Sequence, residues 1–466
     1  MYGRRLWYNM EQTVQVQQHL ANYNRNENKG DIRHAGTPFR SGGAGVAAAG
    51  TDGWKAEAAV LVRGTTAEMK IIHTSDWHLG SRLHGWDCTE EEDRFLAQLA
   101  DAVGEEKPDA LVVCGDIFDT GTPGNDVAKR FTDALLRVTG RWPEMVTVVI
   151  AGNHDSYSRL TVDQELWLRS RVHVFGVPAE DADGRADYAR NIVELPGKGV
   201  VAAVPFCHPR NFPAASGAPG ADRAKEYFGG LAGYVAAHFA GQPAVLAAHL
   251  AVRGEIDLRG HDRSLVVGGE ECVGLDELGA GYAYVALGHI HCPQWISGGR
   301  KVARYCGTPR AIHFDETYGH GVDVVEVAAG GAPEARTREF RPLRALETIG
   351  GREGLPFEEA LARLNAAAFP AETYIRLNVR LGAGELPGPD WTERARKACE
   401  AKGFRFCVNN PIRDEAPAGR AVRKALAMAE LRSLSDEEVL DILSARHEMT
   451  DRQRELVGTL MKGLRG

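Results

Sequence analysis

The sequence predicts an α/β protein built on a largely parallel sheet, followed by a small α+β unit and a helical C-terminal segment. Two observations support this fold class. Apolar, strand-like runs alternate with helical stretches through residues 69–345, and strands joined by right-handed helical crossovers form parallel sheets. Five of the apolar runs also end in metal-binding side chains, and functional residues of such sheets collect beyond the carboxyl ends of their strands.

Length and composition are those of a globular protein with more than one domain. The chain has 466 residues, of which 44% are hydrophobic and 25% are charged. No apolar run approaches the roughly 20 residues that span a membrane, and no apolar core follows Arg4 and Arg5 as it would in a signal peptide. The eight cysteines are dispersed without a Cys-x-x-Cys pair, so we expect reduced thiols. These features predict a cytoplasmic protein without a membrane partner.

The net charge of −8 limits how this protein could bind nucleic acid. A protein that holds a polyanion by electrostatic attraction alone carries a surplus of basic residues, and this chain does not. Either its substrate is not a long polyanion, or bound cations and a partner protein supply the attraction.

Residues 1–68 differ in composition from the rest of the chain. Gln and Asn cluster in residues 12–28, small residues fill 41–53, and neither stretch has the apolar periodicity that builds a core. Met69 then opens a strand-like segment that leads directly into the first metal-binding motif. We expect Met69 to be the natural start, with residues 1–68 a disordered or non-native extension. A short regulatory arm is the alternative, and peptides from residues 10–60 in the native protein would favour it.

The segment 69–345 is predicted to alternate strands and helices. The first helix covers Glu90 to Val103, where Phe95, Leu96 and Leu99 recur at helical spacing. Lys107-Pro108-Asp109 ends it before the next strand. A second helix, Val127 to Val138, precedes the strand from Val146 to Ala151, and this order predicts a parallel sheet.

Residues 346–415 are predicted to form a smaller α+β unit. Its helices cover Phe357 to Ala368 and Trp391 to Ala401, and its strands cover Tyr374 to Leu381 and Phe404 to Val408. We expect one sheet covered by two helices.

Residues 416–466 carry two consecutive capping boxes, Ser435 with Glu438 and Thr450 with Gln453, each of which opens a helix. Apolar residues line one face of each helix, from Val439 to Leu443 in the first and from Leu456 to Leu464 in the second. A helical hairpin this short has no core of its own, so we expect it to dock on another surface.

Metal-binding side chains follow five apolar runs in residues 69–291. They are Asp76-Trp77-His78, Gly115-Asp116-Ile117-Phe118-Asp119, Gly152-Asn153-His154-Asp155, His249 and Gly288-His289-Ile290-His291. Two adjacent divalent ions need several oxygen or nitrogen ligands each, and one ligand that bridges them. These five stretches offer that many ligands.

The spacing of these residues suggests how they divide between two ions. Asp116 is the best candidate for the bridge, because a carboxylate offsets the charge of two cations held about 3.5–4 Å apart. Asp76 and His78 are two residues apart and lie on one side of an extended segment, where they can bind one ion together. His289 and His291 have the same spacing and can divide between the two ions.

The remaining residues complete a centre for phosphoester hydrolysis. Asn153 offers a carbonyl oxygen and His249 an imidazole nitrogen. Carboxylate, amide and imidazole without thiolate argue against structural zinc and favour manganese, iron or magnesium, with manganese the best match. His154 is left to donate a proton to the leaving oxygen or to stabilise the charge that develops. The pattern therefore predicts a two-metal phosphoesterase.

Each motif has an ordinary structural explanation when it stands alone. Asp76 and His78 could be a surface pair, Gly152 to Asp155 a turn, and His249 a hydrogen-bonded core residue. The five motifs together favour the metal centre. No spacing argument places the other histidines there, among them His84, His208, His261 and His313.

The five motifs resemble those of the calcineurin-like metallophosphoesterase superfamily. Longer segments resemble its SbcD branch, the nuclease subunits of bacterial SbcCD complexes, and these are His73 to Gly80, Gly115 to Gly121, Ala286 to His291 and Tyr305 to Pro309. The resemblance covers residues 69–466 and leaves 1–68 without a counterpart. It implies a two-sheet sandwich flanked by helices over 69–345, a small α+β capping domain over 346–415, and a C-terminal helical segment over 416–466 that binds an SbcC-type ATPase.

The resemblance also implies a role for each site residue. One ion would be held by Asp76, His78, Asp116 and His291, and the other by Asp116, Asn153, His249 and His289. His154 would be the catalytic histidine. Asp119 stands where archaeal and eukaryotic relatives carry a second histidine, whereas the SbcD branch has aspartate there, so Asp119 is a catalytic candidate with an open role.

The function that the resemblance implies is that of a manganese-dependent DNA nuclease in repair, recombination and replication. It would act as a 3'-5' exonuclease on duplex ends and as an endonuclease on single strands or hairpins. It would form a homodimer within a heterotetramer with the ATPase, nucleoid-associated when on DNA.

Two other functions stay open. A small-molecule or nucleotide phosphodiesterase predicts a chain that ends soon after residue 345. A non-catalytic protein that tethers DNA ends predicts a damaged site.

Overall fold

The computed structural model describes residues 68–214, 222–253, 256–257, 272–296, 302–382 and 385–413. The predictions made for residues 1–67 and 416–466 lie outside the described residues.

Nineteen strands and seven α-helices form in the described residues. The strands are β1 (Glu68–Thr74), β2 (Arg82–Leu83), β3 (Trp86–Asp87), β4 (Ala110–Cys114), β5 (Val146–Ile150), β6 (Val172–Phe175), β7 (Ile192–Leu195), β8 (Gly199–Val204), β9 (Ala244–His249), β10 (Ala251–Arg253), β11 (Cys272–Gly274), β12 (Tyr284–Gly288), β13 (Gln294–Trp295), β14 (Ala303–Tyr305), β15 (Gly321–Ala328), β16 (Glu334–Glu339), β17 (Leu346–Ile349), β18 (Tyr374–Leu381) and β19 (Arg405–Arg413). The helices are α1 (Thr89–Glu106), α2 (Asn125–Arg141), α3 (Tyr157–Leu160), α4 (Gln164–Trp167), α5 (Arg223–His238), α6 (Phe357–Ala366) and α7 (Trp391–Lys402). Within this described part, none of the helices combines the length and apolarity that crossing a bilayer demands.

The first sheet has six strands in the order β16-β15-β1-β4-β5-β6. Strands β1, β4, β5 and β6 run parallel, and β15 and β16 continue the sheet in antiparallel fashion. Helices α1 and α2 lie between these strands in the chain and bury Phe95, Leu99 and Leu135 in the core on one face of the sheet. The predicted parallel sheet with helical crossovers is confirmed.

The second sheet has the order β13-β14-β12-β9-β8-β7, with β14, β12, β9 and β8 parallel. Helix α5 packs on it through Phe228 and Leu231. Residues from both sheets, including Ile71, Val112 and Val245, form one further apolar core between them. The result is the two-sheet sandwich flanked by helices that the resemblance implied.

The third sheet, β17-β18-β19, is parallel throughout and lies later in the chain. Helices α6 and α7 share an apolar core with it, which includes Leu364, Ile375 and Cys399. The predicted pattern of one sheet and two helices is confirmed, whereas the domain boundaries stay a prediction. Strand β19 extends beyond the predicted Val408, and as an edge strand it tolerates Pro411.

The third sheet contacts the β2–β3 hairpin and α1 through aromatic and charged side chains. The indole N–H of Trp86 donates to the carbonyl oxygen of Phe406 at 2.9 Å, and the Arg405 guanidinium lies 5.0 Å from the Trp86 ring centre. The hydroxyl of Tyr374 donates to Oε1 of Glu91 at 2.9 Å. These contacts hold the third sheet beside the first motif loop, which precedes β2.

Candidate metal centre

The predicted site residues meet at one edge of the sandwich, beyond the carboxyl ends of strands from both sheets. The first sheet contributes the residues that follow β1, β4 and β5, and the second sheet contributes those at the ends of β9 and β12. Parallel strands bring these ends to the same edge, which explains why residues distant in sequence converge.

Backbone hydrogen bonds fix the loops after β1 and β4 to each other. The N–H of Asp76 donates to the Gly115 carbonyl at 2.9 Å, and that of His78 donates to the Asp116 carbonyl at 3.0 Å. Asp76, His78 and Asp116 all have positive φ angles, of 53°, 45° and 50°. This conformation costs roughly 1–3 kcal/mol at a residue with a side chain, so the surrounding hydrogen bonds must hold these three residues in place.

The first group of side chains consists of Asp76, His78 and His291, which offer ligand atoms within 4.8 Å of one another. All three residues are buried. Both ring nitrogens of His78 are buried and make no hydrogen bond within the described residues. Since a buried polar atom without a partner is costly, a metal ion fits this position well.

The second group consists of Asp116, His249 and His289, also within 4.8 Å of one another. Nδ1 of His249 lies 2.8 Å from the Cys114 carbonyl oxygen, so it carries the proton and donates it there. Nε2 of His249 then faces Oδ1 of Asn153 at 3.0 Å and Oδ2 of Asp116 at 3.4 Å. Nδ1 of His289 lies 3.0 Å from the same Asn153 oxygen.

Asp116 lies between the two groups. Its Oδ2 atom is 3.8 Å from Nε2 of His78 in the first group and 3.4 Å from Nε2 of His249 in the second. Its other oxygen, Oδ1, accepts a hydrogen bond from the backbone N–H of His154 at 2.9 Å. One carboxylate therefore reaches both clusters, as a bridging ligand must.

The electrostatics of the centre favour cation binding. Burial opposes ionisation of Asp116, but His249 and its hydrogen bond hold the pKa of Asp116 well below its usual value. Burial likewise opposes the charged form of His249, yet the Asp116 carboxylate raises the pKa of His249 to about 9. A proton on Nε2 of His249 thus balances the neighbouring oxygens, and a divalent cation would replace that proton. Burial lowers the pKa of His78 well below its usual value, which leaves a neutral imidazole to bind metal.

His154 and Asp119 lie beside the first group, and both are half-buried. Nδ1 of His154 donates to the backbone carbonyl of Asp119 at 2.9 Å, and the ring of His154 lies edge-on to that of His78, with centres 5.0 Å apart. The Asp119 side chain, 40% exposed, places Oδ1 3.7 Å from Nδ1 of His78. Both predicted catalytic candidates therefore lie next to the predicted ligands.

Residues that the sequence did not single out also line the centre. Glu316 lies 3.0 Å from the ring of His291, and His313 stacks on the same ring with centres 6.1 Å apart. Of the other histidines, His208 packs on Phe206 near His249, whereas His261 lies outside the described residues. A Glu or His in a loop without apolar periodicity gives no signal that could have identified these positions.

Comparisons with known proteins agree with this geometry. A sequence model of the family described as Calcineurin-like phosphoesterase matches residues 69–293. The SbcD subunit of the SbcCD nuclease from Rhodobacter capsulatus is 32% identical over 315 residues, which cover 65% of this chain and 76% of the relative. The protein of the same name from Bacillus subtilis is 32% identical over 272 residues, or 56% and 67%. That from Escherichia coli is 29% identical over 260 residues, or 53% and 62%.

Proposed function

This chain belongs to the SbcD family, the family of the nuclease subunits of SbcCD, and on that premise we propose that its metal centre hydrolyses phosphodiester bonds of DNA. The observation that carries the proposal is the position of Asp116, whose Oδ2 atom faces both groups of ligands. A bridging carboxylate is the feature that two-ion phosphoesterases require.

Two divalent ions fit the two groups of side chains. We assign one ion to Asp76, His78, Asp116 and His291, and the other to Asp116, Asn153, His249 and His289. The absence of thiolate from these sets argues against structural zinc and for manganese, iron or magnesium, of which we propose manganese. When bound, the ions would polarise the phosphodiester and lower the pKa of a bound water molecule to near neutral.

His154 is the residue assigned to proton transfer. Its Nδ1–H donates to the Asp119 carbonyl, which orients the ring, and the doubly protonated imidazolium form would donate its Nε2 proton to the leaving oxygen of the substrate. Asp119 acts on this reaction through its backbone, because its carbonyl orients the ring of His154. The Asp119 carboxylate lies beside His78, with Oδ1 3.7 Å from Nδ1 of that ring.

The remaining assignments follow the family. We propose that residues 346–415 cap the centre and that residues 416–466 bind an SbcC-type ATPase. The protein works in the cytoplasm on nucleoid DNA. Its activities are those of a 3'-5' exonuclease and of an endonuclease on single strands or hairpins. Contacts of the third sheet with the β2–β3 hairpin support the first of these assignments.

A second copy of the chain is proposed to cover an apolar surface that extends from α3 to the turn directly after α4. The exposed fractions there are 58% for Tyr157, 74% for Val162, 65% for Leu166 and 51% for Leu168. Exposed apolar clusters of this kind mark interaction surfaces. In analytical ultracentrifugation, we expect wild type to sediment as a dimer and the Leu166→Asp variant to sediment as a monomer. A dimer that is unchanged in this variant would contradict the assignment of the interface to this surface.

The nuclease activity is tested with the full chain, with and without its ATPase partner, in manganese and with end-labelled duplex. Asp116→Ala is expected to lose metal binding and cleavage together. His154→Ala is expected to keep both ions and to lose roughly 10²–10⁴-fold in rate. Asp183→Ala, in an exposed loop, is the control and should cleave like wild type. Hydrolysis of nucleotide esters without degradation of DNA would overturn the assignment.

A further inference from the structure

We propose that Glu316 is a positioning residue of the metal centre, whose carboxylate sets the tautomer and orientation of the ligand His291. The inference rests on the proposed two-ion centre. Nothing in the motifs points to Glu316, since it lies in the loop between β14 and β15, 25 residues after His291 in the sequence.

The contact between the two side chains is direct and buried. Oε1 of Glu316 lies 3.0 Å from Nδ1 of His291, and the exposed fractions of these side chains are 0% and 8%. A carboxylate only accepts hydrogen bonds, so Nδ1 of His291 must carry the proton that it receives. Nε2 of His291 is then the nitrogen with the lone pair, with which it can bind the ion.

Glu316 is itself held in a fixed position by its own loop. Its Oε2 atom accepts a hydrogen bond from the backbone N–H of Ile312 at 2.9 Å and lies 3.4 Å from the hydroxyl of Thr308. The backbone N–H of Thr308 donates to the carbonyl of His291 at 3.1 Å. The loop between β14 and β15 therefore makes hydrogen bonds with both the ring and the backbone of His291.

A third ion is the competing explanation for this cluster, because His291, His313 and Glu316 also offer ligand atoms within 4.8 Å of one another. The contacts favour positioning. The Ile312 N–H and the His291 ring already occupy both oxygens of Glu316, and His313 is exposed. Counting bound ions separates the two explanations.

The test compares Mn²⁺ binding to metal-free full-length wild type and Glu316→Gln by calorimetry, with ion counts by elemental analysis. In the variant, the side-chain oxygen is expected to keep the Ile312 N–H, so the amide NH₂ faces Nδ1 of His291. This arrangement favours the tautomer with a proton on Nε2, which cannot bind the ion. We expect the affinity for one of the two ions to fall on the order of 10–100-fold while the other is unchanged. Cleavage should recover at high Mn²⁺.

Two further variants make the result decisive. Glu334→Gln removes an exposed carboxylate on β16 and should leave both affinities unchanged. Thr308→Val keeps Glu316 but removes one hydrogen-bond donor to its carboxylate, so we expect a smaller loss of affinity for the same ion. If Glu316→Gln does not fold, the Thr308→Val variant provides the test.

Three outcomes would overturn the inference. The first is that Glu316→Gln and Thr308→Val both keep the wild-type affinity for both ions. The second is that the affinity falls equally for both ions. The third is that wild type binds three ions and that Glu316→Gln binds one fewer. A wild type that binds no divalent ion would overturn the two-ion centre itself, and with it the assignment of Glu316.

Discussion

At the residue scale, the carboxylate of Asp155 connects two loops of the centre. Oδ2 accepts hydrogen bonds from the backbone N–H groups of Gly152 at 2.8 Å and Ile117 at 3.1 Å, and Oδ1 accepts one from Phe118 at 2.9 Å. The loops after β4 and β5 carry Asp116 and Asn153, so this side chain helps to fix their relative position, together with the hydrogen bond from the His154 N–H to Asp116.

Replacing Asp155 with Asn should therefore destabilise the protein. The amide has one acceptor oxygen, and its NH₂ group would face at least one of the three backbone N–H donors. An unpaired buried donor costs about 1–3 kcal/mol, so we expect a loss of about 2–3 kcal/mol in the free energy of unfolding measured with urea. Asp183→Asn in an exposed loop is the control. Equal stability of the two variants would contradict this role.

His73 is a buried histidine that makes the stability of the protein depend on pH. Burial lowers its pKa from 6.5 to about 4; the nearby Asp323 opposes this shift and Arg304 adds to it. Nδ1 of His73 makes a hydrogen bond with the hydroxyl of Tyr284 at 3.0 Å. The folded protein thus holds His73 neutral at a pH where the unfolded chain takes up a proton.

The sign of the pH effect follows from this lowered pKa. The contribution of His73 is complete above pH 6.5 and is lost as the pH falls towards 4, and it amounts to about 3 kcal/mol. We expect the stability advantage of wild type over His73→Gln in urea denaturation to shrink by about that amount between pH 7 and pH 4. His238→Gln, at an exposed position in α5, is the control substitution. A difference in stability between wild type and His73→Gln that stays constant from pH 7 to pH 4 would contradict this prediction.

At the scale of elements, the two sheets approach so closely at the centre that side chains cannot intervene. A Cβ atom on Gly288, the last residue of β12, would overlap the carbonyl oxygen of Cys114 at the end of β4. That carbonyl is the acceptor for Nδ1 of His249. Gly115 has a φ of 81°, and a Cβ there would overlap the same imidazole.

Gly288→Ala should therefore push β4 and β12 apart where His249 is oriented. Overpacking of this kind costs about 1–3 kcal/mol, and we expect weaker binding of the second ion together with lower thermal stability. Gly140→Ala in α2 is the matched control, because its new Cβ meets no atom within 4 Å. This control should gain up to about 1 kcal/mol from helix propensity. Unchanged metal binding in Gly288→Ala would contradict the close approach.

At the scale of the whole molecule, the net charge of −8 weakens the electrostatic attraction of the isolated chain to DNA. Nonspecific protein–DNA complexes rely on counterion release and have dissociation constants of roughly 10⁻⁴–10⁻⁶ M. We expect the isolated chain to bind duplex no more tightly than that at physiological salt, as measured by fluorescence anisotropy. Addition of the ATPase partner should tighten binding at least about tenfold. Nanomolar binding by the chain alone would contradict the expectation.

The sequence predicted most of the sandwich and the nine site residues now found together. Asp76, Asp116 and His291 could be predicted because each follows a continuous apolar run, and parallel strands bring such ends to one edge. The contacts of Glu316 and Asp155 could not be predicted, since they depend on which backbone N–H groups loops present to a carboxylate. Loop paths of this kind have no periodicity to detect.

The ligands come from both sheets, in an order along the chain that begins with Asp76 and ends with His291. A ribosome must therefore have synthesised residues 76 to 291 before any copy of the chain has all the side chains proposed to hold the two ions. We expect fragments from interrupted synthesis or proteolysis that end before His291 to bind fewer ions. The dispersal of the centre thus makes metal binding depend on strands of both sheets being present in one chain.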